Sequence, residues 1–175
     1  MAGPFQMHFR GFALYNRWAN SQLYAAAARL SPEALTQDRG AFFKSVLGVL
    51  NHLLLTDRLW RARFEERSPG AYRLDEILHE ELEDLAQARV AEDKGIIGYV
   101  FALEEADYAA PLEYKTGTGV AYSEKTSALL AHWFNHQTHH RGQAHDLICQ
   151  ALGAENAPPL DLLIYQRFIA AEDRP

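Results

Sequence analysis

Four histidines, His132, His136, His139 and His140, fall within nine residues late in the chain, in the run Leu129-Leu-Ala-His-Trp-Phe-Asn-His-Gln-Thr-His-His-Arg-Gly-Gln143. His132, His136 and His140 are spaced at i, i+4 and i+8. At about 100° per residue they occupy an arc of roughly 80° on a helix. Leu129 and Leu147 share that arc, and Trp133, Ala144 and Ala151 widen it to one side, which predicts that the imidazoles line the inward stripe. Two imidazoles one helical turn apart can hold one divalent ion. A single histidine on such a stripe is ordinarily a packed residue with its nitrogens satisfied. A cluster demands a partner for every buried ring nitrogen, which a metal ion can supply. A further ligand has to come from another part of the chain.

The elements that position these residues read as helices. The spacing of Phe9, Phe12, Tyr15, Trp18, Ala19 and Leu23 predicts a first helix over about 6–29. Asn16, Asn20 and Ser21 are weak helix formers inside it, so Tyr15-Asn-Arg-Trp-Ala-Asn20 reads either as part of an aromatic core stripe or as support for a site. Ser31 and Pro32 start a short helical turn. A second helix over about 41–67 has Phe42, Val46, Val49, Leu50, Leu53, Leu54, Leu59, Trp60 and Phe64 on its core side. His52 lies on or beside that apolar face and is the natural third partner for His136 and His140. Asp57 could accept a ring N–H from a histidine or pair with Arg61 one turn on.

Ser68-Pro-Gly70 reads as a loop. Asp75 is the expected cap of a third helix over about 76–103, with Ile77, Leu78, Leu82, Leu85, Val90, Ile97, Val100 and Phe101 as its apolar positions and His79 exposed. Gly95 and Gly98 suggest a kink or a close contact. The stretch from Pro111 to Ser123 sets Leu112, Tyr114, Val120 and Tyr122 among glycines and threonines, and reads as a short β-hairpin or extended loop. Ser123 is the expected cap of the histidine-bearing fourth helix, Gly142 a mid-helix glycine whose cost implies close packing or a local distortion, and Gly153 its stop. Pro158-Pro159 block continuation. A terminal helix over about 161–171 is anchored by Leu162, Leu163, Tyr165 and Phe168. Four long helical patterns imply an all-α, four-helix bundle.

The 175 residues predict a single domain over 1–175. A net charge of −6, with the only basic run (58–67) broken by Glu65 and Glu66, argues against phosphate-neutralising nucleic-acid binding. No stretch is apolar enough to span a membrane, and the N-terminus resembles neither a signal nor a transit peptide. The single cysteine, Cys149, allows no intramolecular disulfide, which fits a cytoplasmic location. It reads as a small buried hydrophobe.

The residue pattern resembles the DinB family, also called DinB/YfiT-like metalloenzymes, over nearly the whole chain. The resemblance is carried by Tyr15-Asn-Arg-Trp-Ala-Asn20, by Ser45-Val-Leu-Gly-Val-Leu-Asn-His-Leu-Leu-Leu-Thr-Asp-Arg-Leu-Trp60, by Asn135-His-Gln-Thr-His-His-Arg-Gly-Gln143 and by Pro159-Leu-Asp-Leu-Leu163. It implies an up-down-down-up bundle, commonly a homodimer. It also implies a divalent metal, zinc or nickel, bound by His52, His136 and His140. Some members have glutamate where this chain has His136. Characterised relatives are transferases and isomerases that depend on bacillithiol, mycothiol or glutathione-like thiols.

Three neutral imidazoles leave an ion its full charge and an open position, the pattern of a catalytic rather than a closed structural site. The expected partners are a low-molecular-weight thiol and an electrophilic substrate, joined by S-transfer, conjugation or isomerisation, with no catalytic side chain assigned. A metal-dependent hydrolase is an alternative, for which Asp57 is the only nearby base. A non-catalytic metal-binding stress-response bundle is another. His132 and His139 read as pocket residues, although the spacing leaves His132 open as a ligand. Gln143 is placed to bond a water or substrate. His8 and His145 show no partner and receive no role.

Overall fold

A computed structural model describes residues 2–169. The chain is mostly helical, with one small antiparallel sheet. Its helices are α1 (Pro4–Ala27), α2 (Pro32–Thr36), α3 (Val46–Phe64), α4 (Leu82–Ala102), α5 (Thr126–Leu152) and α6 (Leu162–Ile164). The strands β1 (Pro111–Lys115) and β2 (Ala121–Lys125) form the expected hairpin, with Tyr114 opposite Tyr122. Of the four long helices, α1 packs on α4 and α5, and α3 packs on α4 and α5. No helix among the described residues is long and apolar enough to cross a membrane.

Several element boundaries differ from the sequence reading, each for a local reason. Helix α3 begins at Val46, not near Ala41, because Ser45 caps it through Gly48 N–H at 3.1 Å and Lys44 sits in the left-handed region at φ 66°. Phe42, expected on the core side, is 84% exposed as a result. Helix α4 begins at Leu82, and Asp75 does not cap it. Residues 76–81 are drawn off as a loop by the Asn51 side chain, which accepts from Leu78 N–H at 2.9 Å and His79 N–H at 3.0 Å and donates to His79 O at 3.0 Å. His79 is consequently half-buried and not exposed. Ser123 is spent in β2, and α5 starts three residues later. Gly95 packs against Arg61, as a close-contact glycine should, but Gly98 and Gly142 face open space, so neither is a packing glycine. After Asp161 caps α6 the backbone widens into a single turn over Tyr165–Ile169. Tyr165 is buried against Tyr15 and Trp18. The side chain of Phe168 and residues 170–171, which the sequence reading placed in the terminal helix, lie outside the described residues.

The interior face of α4 is the main departure. Val90 and Phe101 point outward, at 71% and 41% exposed, while Arg89, Glu92 and Asp93 are buried beside Leu85, Ile96 and Val100. Helical periodicity is kept, but charges occupy the inward stripe. They are matched there. Arg89 bonds Asp57 at 2.6 Å and pairs with Asp93 at 3.0 Å. Asn20 donates to Asp93 at 3.0 Å, and buried Arg141 donates to Asn16. The mid-helix asparagines of α1 therefore support this network. Asp57 and Asp93 are balanced by Arg89 and Arg141, and Glu92 by Arg61 of α3, the condition under which burial is tolerable.

Candidate metal centre

Helix α5 turns Trp133, Gln137, Arg141, Ala144 and Ile148 to the middle of the protein. The histidines occupy the flank of that stripe, not its centre as the arc predicted. His136 and His140 are half-buried, and His132 and His139 are exposed. The flank faces α3, where His52 is 3% exposed. Ring centroids of His136 and His140 are 4.3 Å apart, and those of His52 lie 4.4 Å from His140 and 5.5 Å from His136. His52, His136 and His140 each offer one ligand nitrogen, all within 4.8 Å of one another, and the three could hold a metal ion.

The hydrogen bonds determine which nitrogens are free. His52 Nδ1 lies 2.8 Å from Leu74 O. A carbonyl only accepts, so Nδ1 carries the proton and Nε2 keeps its lone pair. That Nε2 is buried and has no partner among the described residues. His140 Nδ1 lies 2.8 Å from Gln143 Oε1, which leaves its Nε2 free in the same way. His136 Nδ1 is buried and unpartnered as well. Unpartnered buried nitrogens on two rings of one cluster are costly in an apolar setting, and a cation held by the cluster would relieve that cost. Burial holds His52 down to about 4 and His136 down to about 3, and lowers His140, with neighbouring imidazoles adding repulsion. All three are therefore neutral near pH 7, the form that binds metal.

Outer contacts hold the rings in place. Asn51 and His52 are adjacent on α3 and grip two points of the same loop, Leu78–His79 and Leu74. Phe43 stacks on His52 at 3.9 Å and meets His140 edge-on at 5.5 Å. Gly48 makes room for that: a Cβ there would lie 2.1 Å from Phe43 O. Phe43, Gly48 and the Leu74 carbonyl were not picked out from the sequence, where Phe43 reads only as part of a helix start.

Other expected roles resolve differently. Asp57 neither orients a histidine nor pairs with Arg61. Its Oδ1 accepts from Trp133 Nε1 at 2.6 Å and its Oδ2 from Arg89. Arg61 instead bonds Glu92 at 3.0 Å across to α4, so the basic run is not wholly a solvated face. Gln143 bonds His140 and, at 3.3 Å, His139 Nε2. His132 lies outside the triad, its ring 6.0 Å from that of His136. His145 does have partners, Pro158 O at 3.0 Å and Cys149 Sγ at 3.6 Å, and it ties α5 to the segment that follows. Cys149 is half-buried, not fully buried. His8 makes edge contacts with Phe9 and Phe12.

The chain is 31% identical over 154 residues to Protein DinB of Bacillus subtilis (strain 168), covering 82% of this chain and 86% of that protein. The family model described as DinB family matches residues 6–172. With the match spanning all four long helices and every residue of the triad, the chain belongs to the DinB family.

Proposed function

We propose that this protein is a metal-dependent enzyme that activates a low-molecular-weight thiol toward an electrophile, by S-transfer, conjugation or isomerisation. The observation that carries the reading is the set of three neutral imidazoles from α3 and α5, with His52 Nε2 held deprotonated, buried and without any protein partner. His52, His136 and His140 would hold the ion, zinc or nickel by donor type. Such an ion, when bound, supplies Lewis acidity and lowers the pKa of a thiol at neutral pH. The chain itself contributes orientation, through Leu74 O and Gln143, and exclusion of water on one side, through Phe43. Hydrolysis is the weaker alternative, because Asp57 has both oxygens engaged by Trp133 and Arg89 and cannot serve as base. The same reading takes residues 1–175 as one cytoplasmic domain folded as an up-down-down-up four-helix bundle and working as a homodimer.

The test is elemental analysis of the purified protein together with thiol consumption against a generic electrophile. The expected result is stoichiometric metal, lost in both His136→Ala and His140→Ala with helicity intact, and metal-dependent turnover with at least one thiol. Stoichiometric metal retained by both variants would remove the assignment. Tight metal binding without turnover by any thiol would make the protein a non-catalytic metal-binding module.

A further inference from the structure

We propose that the small cavity beside the triad is a subsite for the flat, uncharged ring of the electrophilic substrate, an inference that rests on the triad holding a catalytic metal. The cavity measures about 260 Å³ and lies between α3, α5 and the hairpin, lined by Trp60, Tyr114, Glu124, Ala128, Leu129 and His132. A file of ring contacts leads into it from the metal centre. His136 is 6.0 Å from His132, His132 is 5.1 Å from Trp60, and Trp60 is 5.6 Å from Tyr114. The opposite side of the triad is covered by Phe43, which contacts His52 and His140, and by the Leu74 carbonyl on His52. A ligand held in this cavity would lie one ring contact, His132 to His136, from the triad, on the side away from Phe43.

The walls define the class of ligand. Trp60, Tyr114 and Leu129 give the cavity an aromatic and aliphatic wall suited to dispersion contacts with a flat apolar group. Arg63 lies 4.7 Å from the Trp60 ring and 5.2 Å from the Tyr114 ring, so one cation braces both walls and its charge is directed at them. Tyr114 donates its hydroxyl proton to Glu124 Oε2 at 2.9 Å, which leaves an exposed carboxylate on the cavity. That carboxylate repels an anion and can accept from a neutral hydroxyl or amide. The volume is below the range of about 300–1,000 Å³ usual for drug-sized ligands, so it suits a group of one or two rings. His132 is exposed and makes no hydrogen bond among the described residues, which leaves its ring nitrogens free for the polar group next to the reacting atom.

The test titrates benzyl alcohol and benzoate, a neutral and an anionic probe of similar size, into the zinc-loaded full chain and follows amide and indole NMR shifts. Benzyl alcohol should give saturable shifts at Trp60, Tyr114 and His132, with weak affinity as befits so few atoms. In the metal-free chain, where the carboxylate has no ion to ligate, benzoate should bind about fivefold more weakly than benzyl alcohol, the effect of one solvent-screened like charge at Glu124. His132→Ala and Tyr114→Ser should each weaken benzyl alcohol by about three- to tenfold, the worth of one ring contact, with metal content unchanged. In cobalt-loaded protein the bound probe's ring protons should broaden relative to the zinc form. His136→Ala should lose its metal and keep the probe, which separates this inference from the metal assignment. Shifts mapping to another surface, benzoate binding as well as benzyl alcohol in the metal-free chain, undiminished binding in both variants, or no cobalt broadening would each overturn the subsite.

Discussion

At the scale of single residues, the site depends on ring nitrogens whose protonation is set by neighbours. Gln143 is the side chain that keeps His140 protonated at Nδ1. Replacing it with leucine should weaken metal affinity by about ten- to hundredfold, the usual loss when a ligand's outer hydrogen bond is removed. Metal competition with a chromophoric chelator measures this, and an unchanged affinity would show that Gln143 does not orient the ring. Burial of His136 carries a pH consequence in the metal-free protein. Its folded value, about 3, lies below the ordinary 6.5. A depressed histidine adds stability that is present above the unfolded value and lost as pH falls toward the folded one, because the unfolded chain takes up a proton that the folded chain refuses. Metal-free wild type should therefore lose stability relative to His136→Gln as pH is lowered from 6.5 toward 3. Parallel urea midpoints across that window would contradict it.

At the scale of elements, α3, α4 and α5 are tied together by Asp57, which bonds Arg89 on α4 and Trp133 on α5. Burial is the largest influence on this carboxyl and pushes it up to about 6, against the pull of Arg89 and the Trp133 N–H. Removing one member of a buried pair leaves the other charge unmatched. Asp57→Ala should thus cost about 3–5 kcal/mol, more than an exposed ion pair could. Urea unfolding checks the magnitude. A loss within experimental error of zero would mean that the network is replaceable by packing alone. The same pairing explains why the inner face of α4 departs from the apolar pattern of its sequence. Apolar periodicity singles out Val90 and Phe101, and both are exposed, while the inward stripe is held by Arg89, Glu92 and Asp93. Apart from the Arg89–Asp93 pair one turn apart, the partners that make those charges tolerable lie on α1, α3 and α5, outside any window of local sequence.

At the scale of the whole molecule, the triad staples two regions that are distant in sequence, so a bound ion stabilises the folded state over the unfolded chain. Zinc at a hundredfold excess over its dissociation constant should add about 2.7 kcal/mol, a rise in Tm of roughly 5–10 °C for a chain of this size. His140→Ala should abolish the rise. An equal rise in wild type and variant would place the ion elsewhere. The sequence by itself determined the helical periods, the hairpin, the one-turn spacing of His136 and His140, and the position of His52 on the core side of its helix. These are local properties, written in the 3.6-residue and two-residue repeats of apolar side chains. Only the tertiary structure decided that the rings of His52, His136 and His140 converge, that the Leu74 carbonyl leaves His52 Nε2 free, that Phe43 lies over the triad, and that Asp57 serves the core and not the site. Those outcomes depend on where buried polar groups find partners, and a buried donor or acceptor takes the partner that folding brings to it across the chain, whatever its sequence neighbours offer.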